Sequence, residues 1–372
     1  MIEYLKAEKS DKEEITDLIN YVFSHDYRPH DFKTFVPKAY SDEVDGLGAI
    51  HYIIKEDGRI KAVIANRIMD ACYYGNMLKI GFIGSVAVHP YSRGKGYMKK
   101  LMETALADAG KMGVQMLVLS GRRQRYGYFG FENAGIVYNF SVSASNIRHA
   151  LSDVDASCIS YREMTAENPD EIRFACELHN SKPCHTVRKE SEFLQIMHTW
   201  SQKSYIIYKS GEPAGYSFGK FGELVLKDEA DYPAVIKAMF DNAEQVNIPA
   251  GAYERKKIGF LSSICENYSI CHVDKISVLD WKAVISVLLG SKANITALSD
   301  GESTFSIDGE CFTVSVKNNK VSVTDAVPDE NTKTLMHNQA ERIFFELDGL
   351  IADNGYGNWF PLPFYIDSAD AF

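Results

Sequence analysis

Ile83-Gly84-Ser85-Val86-Ala87-Val88-His89-Pro90-Tyr91-Ser92-Arg93-Gly94-Lys95-Gly96-Tyr97-Met98 is the stretch on which the reading of this chain turns. An apolar strand, Ile80–Val88, stops at Pro90, turns through two glycines and feeds a helix. The apolar positions Met98, Leu101, Met102, Ala105, Leu106 and Ala109 of that helix fall on one face, at i, i+3, i+4 and i+7 spacing. The amides that open a helix have no acceptor inside it, glycine lets an oxygen approach the backbone, and the helix dipole adds positive potential. Such a turn suits a diphosphate, and Arg93 and Lys95 add charge to it.

Two familiar phosphate loops do not fit the same letters. A Walker A loop ends in Gly-Lys-Ser/Thr, whereas Gly94-Lys95 is followed by Gly96 and Tyr97; a dinucleotide-binding loop needs glycine or alanine where Lys99 stands.

Around this motif the first 150 residues alternate strand and helix. A strand near Glu3–Ala7 precedes a helix opened by Asp11-Lys12-Glu13-Glu14, whose acids suit the positive end of the dipole. His51–Lys55 and Ile60–Met69 form a hairpin about Asp57-Gly58, Met116–Leu119 is a buried strand, and Ile136–Val142 is a last strand. A second α/β unit, 151–275, echoes the plan with the hairpin Tyr205–Tyr208/Ala214–Phe218, the strand Leu224–Leu226 and a helix over Pro233–Glu244. A third, α+β unit, 276–372, carries a helix at Trp281–Leu289, three alternating strands and a helix over Lys333–Leu347.

The composition excludes several classes. Hydrophobic residues make up 45% and charged residues 24% of the 372, the balance of an ordinary folded protein. Asp and Glu exceed Lys and Arg by 50 to 40, so the chain should repel nucleic acid and anionic lipid and draw in cationic small molecules. Apolar runs such as Ala283–Leu289 fall far short of the ~18–20 residues that span a bilayer, and Met1–Lys6 has no apolar signal core, so the expectation is a soluble, cytoplasmic protein without a membrane partner. Seven cysteines, odd in number and unevenly spread, fit reduced thiols.

Arg93-Gly94-Lys95-Gly96-Tyr97-Met98 after a Val-x-Val strand resembles the motif Arg/Gln-x-x-Gly-x-Gly/Ala of the Gcn5-related N-acetyltransferases (GNAT). Met98 departs from the last small residue, and one branch, the Eis-like (enhanced intracellular survival) acetyltransferases, also takes a large apolar residue there. The three units are similar in size and order to that branch: a catalytic GNAT domain, a degenerate GNAT domain and a domain resembling sterol carrier protein 2. The resemblance implies acetyl-CoA as cosubstrate and no metal. The backbone of Val86, Ala87 and Val88 would pair with the pantetheine arm, and the amides from Arg93 through Gly94, Lys95, Gly96 and Tyr97 to Met98 would hold the diphosphate. It implies a homo-oligomer, often a hexamer.

By the same resemblance Tyr126, in Arg125-Tyr126-Gly127-Tyr128-Phe129-Gly130-Phe131, sits where the family protonates the leaving thiolate, although so aromatic a segment also reads as core. Asp26 falls in the region that borders the acceptor amine, and equally reads as a solvated loop acid. Phe372 closes an aromatic tail, and Eis-like enzymes end in an apolar residue whose α-carboxylate enters the catalytic cleft; this carboxylate is the candidate base, directly or through a water, or else the tail docks only for stability. Cys176, His179, Cys184 and His185 match no closed zinc spacing and read as packing residues. Lys227-Asp228-Glu229-Ala230-Asp231 places carboxylates where a diphosphate would sit in the second unit, which should therefore not bind CoA.

The expectation is an N-acetyltransferase acting on a primary amine of a cationic compound (an aminoglycoside, a polyamine or a lysine-bearing peptide) by direct attack. The competing reading is a catalytically inactive module that binds CoA or a lipid.

Overall fold

Residues 1–26, 28–240, 245–350 and 355–372 are described by the computed structural model. In chain order the first unit comprises β1 (Ile2–Lys6), α1 (Lys12–Asp26), the short turns of helix α2 (Phe32–Phe35) and α3 (Pro37–Tyr40), β2 (Ile50–Glu56), β3 (Arg59–Tyr73), β4 (Asn76–Val88), α4 (Tyr97–Lys111), β5 (Met116–Leu119), α5 (Arg123–Tyr126), β6 (Glu132–Ala134), β7 (Val137–Ser143) and α6 (Ala144–Ala150). The second has β8 (Ile159–Glu163), α7 (Pro169–Asn180), β9 (Cys184–Thr186), α8 (Glu190–Met197), β10 (Ser204–Lys209), β11 (Glu212–Phe218), β12 (Glu223–Leu226), α9 (Tyr232–Met239), β13 (Gln245–Gly251), α10 (Arg255–Ile264), β14 (Asn267–Cys271) and β15 (Asp274–Val278). The third has α11 (Trp281–Ile295), β16 (Gly301–Ile307), β17 (Glu310–Lys317), β18 (Lys320–Asp325), β19 (Lys333–Leu335) and α12 (His337–Phe345). The class is α/β, as the alternation of periods predicts.

The largest sheet runs β1-β2-β3-β4-β5-β15-β6, with β9 added at the end of β3. Only β4 and β5 in it are parallel, joined by the α4 crossover. The apolar stripe of α4 fills one face: Leu101, Met102, Ala105 and Ala109 are buried against Ile54, Ile64 and Leu117. A fully buried Leu or Met contributes about 1.5–3 kcal/mol, enough to hold the helix start in register with the strand that feeds it. The other face packs on α1 and on α11, so the first and third units share one core through Ile19, Ile80, Trp281 and Leu288.

The units exchange strands. β7, read from sequence as the last strand of the first unit, is hydrogen-bonded between β13 and β14, while β15 fills the place between β5 and β6. Alternation identifies a strand and its buried face, but strand partners are chosen by backbone hydrogen bonding that any sequence can supply. Two helices also differ from their expected spans. α11 continues to Ile295, and the segment read as one helix from Lys333 starts with β19, parallel to β16, before α12 begins at His337. The helix expected over Pro233–Glu244 ends at Met239, and its last four positions lie outside the described residues. Among the described residues no helix is long and apolar enough to cross a membrane.

Candidate active site

β4 and β5 pair in parallel only as far as Ile83 and Leu119. Beyond that point β4 bulges: Ala65 faces Gly84 and Val63 faces Ala87, so Ser85 and Val86 together face Ile64. Ser85 carries the strain of the bulge at φ +49°. Because β5 has ended, Gly84–Val88 keeps β3 on one side and a wedge-shaped opening on the other.

The chain then passes Gly94 and Gly96, both left-handed at φ +81° and +78°, where any other residue is strained. Gly96 caps α4 without a side-chain hydrogen bond. The first backbone bond at this helix start runs from Lys100 N to Gly96 O, 3.1 Å, and no amide from Gly94 to Lys99 has a protein acceptor among the described residues. A Cβ built on either glycine meets nothing within 4 Å, so the space above these amides is open. A cavity of about 570 Å³ covers them, lined by Val86, Val88, Ser92, Arg93, Tyr97 and Met98 among others. Of the residues expected to hold the cosubstrate, Ala87 and Lys95 do not line it. Ala87 is buried in the core beneath, and the Lys95 ammonium is bound to Glu56 at 2.6 and 2.9 Å. The group that fits this cradle is anionic and elongated: unpaired amides and Arg93 at one end, an open strand edge at the other. These are the donors a diphosphate and the pantetheine arm of acetyl-CoA require.

A second cavity, of about 330 Å³, adjoins the first, and Val22, Asp26, Val86 and Arg125 border both. Tyr126, the last residue of α5, is 6% exposed and lines it; its ring lies where a Cβ on Gly121 would stand. Phe372 lines it from the opposite side. Its backbone passes so close to β4 that a Cβ on Gly84 would lie 2.6 Å from the Phe372 oxygen, which is why glycine stands there. The ring of Phe372 stacks on Tyr40 with centroids 6.2 Å apart, and the Tyr40 hydroxyl bonds Ser85 Oγ (2.7 Å) and His51 Nε2 (2.8 Å). Burial lowers the His51 pKa to about 4, so the ring is neutral and the bulge rests on an uncharged hydrogen-bonded stack.

The tail reaches this place along a row of buried charges. Lys38 Nζ donates to Ala369 O (2.6 Å) and Ala371 O (2.5 Å), and burial lowers its pKa well below the ordinary lysine value. Arg188 binds Asp370 at 2.8 and 3.0 Å and Glu223 at 2.8 Å, while Lys182 binds Asp367 at 2.5 Å. Burial alone would raise the Asp370 carboxyl; the Arg188 guanidinium overrides it and holds the pKa at about 2. Trp200 Nε1 donates to Ser368 O at 3.0 Å.

Asp26 lines both cavities, and its carboxylate is engaged. Arg93 binds it at 2.6 Å and His25 at 2.9 Å, and the His25 bond followed by the Arg93 bond lowers its pKa. The Cys-His cluster is packing: Cys176 Sγ donates to Arg188 O, His179 bonds Thr186 O and Glu223, and His185 bonds Lys182 O. His179, Asp367 and Asp370 bring ligand atoms within 4.8 Å of one another, yet these donors already serve Arg188, Lys182 and Thr186. Sequence reasoning missed Lys38, Ser85, Arg122 and the aromatic wall of Phe32, Phe35 and Trp200. Only Ser85 carried a signal, as the polar residue inside an apolar strand.

Residues 3–134 match the family described as an acetyltransferase (GNAT) domain, just over a third of the chain. No curated protein matches the sequence. A probable N-acyltransferase of unknown function from Enterococcus faecalis V583 superposes with a TM-score of 0.64 at 13% identity, covering 92% of this chain and 90% of that one. A GCN5-related N-acetyltransferase from Anabaena variabilis gives 0.62 at 15% identity, over 91% and 88%. Eis1 from Mycobacterium abscessus gives 0.61 at 15% identity, over 91% and 87%. The chain thus carries a GNAT acetyltransferase domain in its first unit, and its fold is similar to these structures over nearly its whole length.

Proposed function

We propose that this protein transfers the acetyl group of acetyl-CoA to a primary amine by direct attack. The observation that carries the reading is the junction of two cavities: a cradle of unpaired amides opens at Val86 into a cleft flanked by Tyr126 and the Phe372 carboxylate. Acetyl-CoA supplies a thioester whose carbonyl carbon accepts the nitrogen. The backbone amides from Gly94 onward, with Arg93, hold the diphosphate, and the edge of β4 from Val86 to Val88 aligns the thioester arm.

An amine of pKa ~10 is mostly protonated near neutrality, so the cleft must first take a proton from it. The Phe372 carboxylate receives that proton, directly or through water. The N–C bond then forms, an amide at the split of β4 stabilises the oxyanion, and the C–S bond breaks as the Tyr126 hydroxyl gives its proton to sulfur; the second proton of the attacking nitrogen returns to the Tyr126 oxygen, directly or through water. No covalent intermediate on the protein is needed. Asp26, held by Arg93, joins the wall where acceptor and thioester meet. The acceptor class that the net charge of −10 favours, a cationic amine such as an aminoglycoside, a polyamine or lysine, is the widest form of this proposal, and the lining of the cleft restricts it below. The sterol-carrier-like reading of the third unit, with α11 packed against the face of its four-stranded sheet, a symmetric homo-oligomer and residence in the cytoplasm belong to the proposal as well.

The test is thiol release from acetyl-CoA across a panel of amines. Tyr126→Phe should lower kcat by roughly 10²-fold and leave acetyl-CoA affinity near wild type. Acetyl-CoA binding without turnover of any amine would establish instead the inactive CoA- or lipid-binding module.

A further inference from the structure

The net charge of −10 suggests a polycationic acceptor, but the local lining of the acceptor cleft has the opposite bias. Its walls are aromatic. Phe35 meets Trp200 edge-to-face at 4.9 Å and Phe32 at 6.1 Å, and Phe32 meets Phe23 at 5.0 Å. Trp200 comes from the second unit, held at φ +63° with its indole nitrogen bonded to Ser368 O, so this face is fixed in place. Arg122 and Arg125 line the same cleft, and neither guanidinium has an acceptor among the described residues. Of the acids, Asp26 is engaged by Arg93 and His25, which leaves the carboxylate of Phe372.

From this distribution, and resting on the acetyl-transfer reading above, we infer that the acceptor is a primary amine carried on an aromatic or bulky apolar body with no further positive charge. One ammonium is accommodated, because the Phe372 carboxylate and the aromatic faces both attract it. A second or third ammonium would face Arg122 and Arg125 with no unengaged carboxylate to offset them. An apolar body gains by covering Phe35 and Trp200, and a cavity of about 330 Å³ sits at the small end of the range for compact ligands. Aminoglycosides and polyamines fit neither condition.

The experiment compares kcat/KM for phenethylamine, propylamine and spermidine in the full chain, with acetyl-CoA binding followed separately by calorimetry. Phenethylamine should exceed both others by at least ~10-fold, one missing apolar contact being worth about that much. Phe35→Ala should bring the phenethylamine-to-propylamine ratio toward unity, and Arg122→Glu should raise spermidine relative to phenethylamine by about 10-fold. Each is a ratio within one preparation, so a general loss of activity or of fold does not imitate it. Spermidine equal to or better than phenethylamine in the wild type overturns the inference and leaves acetyl transfer standing. No turnover of any amine, with acetyl-CoA bound, overturns the acetyl-transfer reading and this inference with it.

Discussion

The first and second units both run a hairpin into a strand and from the strand into a helix, and they end at opposite electrostatics. In the first, β4 bulges at Ser85, loses β5 as a neighbour, and enters α4 through two left-handed glycines whose following amides have no protein acceptor among the described residues. In the second, β12 is a four-residue strand at the edge of its own sheet, with no parallel neighbour to part from. Its following turn satisfies itself: Asp228 accepts from Ala230 N at 2.9 Å, and Asp231 binds Lys209 at 2.6 Å. A strand-turn-helix plan is therefore not a binding site. The cradle combines unpaired amides, room above them and a parted strand edge, and of these two units only the first has all three among the described residues.

The most drastic way to test that contrast is to write the second unit's chemistry into the first. In Gly96→Glu the carboxylate occupies the diphosphate position, and acetyl-CoA binding is expected to disappear in calorimetry. Gly96→Ala separates charge from strain: the left-handed φ costs about 1 kcal/mol and binding persists. Binding retained by the Glu variant would remove the cradle from the account.

Next in size is the charge row by which the second unit holds the tail. Arg188→Met leaves Asp370 buried without its cation and Glu223 with Lys182 alone at 3.3 Å, and chemical unfolding should show a loss of about 3–5 kcal/mol. The sign of its pH dependence follows from Asp370, whose folded pKa of about 2 lies below its ordinary 3.8. The Arg188 contribution is fully present above about 3.8 and is lost as pH falls toward 2. Without Arg188 the Asp370 carboxyl should protonate at higher pH, and the acid limb of the stability profile should move upward.

Shortening the tail itself comes third. Deleting Ala371 and Phe372 should lower kcat by roughly 10²-fold while acetyl-CoA affinity stays near wild type; the melting temperature should fall as well, because the buried Phe372 ring and one acceptor of Lys38 are lost, although Asp367, Ser368 and Asp370 still dock. Retained turnover would make Phe372 an anchor only. The smallest expected effect is in the second unit: Asp228→Gly removes one cap, at a cost of about 1 kcal/mol, and calorimetry should still find one acetyl-CoA per chain. Two sites per chain would break the comparison, since removing an acid would then have been enough to make a cradle.

The cradle was legible in the sequence because its determinants are local. A proline-stopped strand, glycines two apart and an amphipathic helix lie within one stretch of chain, and the expected turn, the glycine conformations and the Met98 position follow from them. The acid-filled turn after β12 was legible for the same reason. The cleft was only half legible. Tyr126 and Asp26, singled out by the resemblance, both line the cavity, but the Arg93 bond that engages Asp26 joins residues far apart in sequence. Nothing around Trp200 or Arg122 marks either as part of a site that the other units complete.

What the sequence determined by itself, then, is the set of short-range features: helix and strand periods, the two-glycine turn into α4 and an aromatic tail too apolar to fray. Tertiary structure alone decided which strands share a sheet, that β7 and β15 trade places between units, and that Lys38, Lys182 and Arg188 draw the tail across the molecule to set Phe372 against Gly84. The physical reason is range. Backbone dihedrals and helix caps are satisfied by neighbours in the chain, whereas a buried charge must find its partner wherever the fold delivers it, and the local sequence carries no mark of where that is.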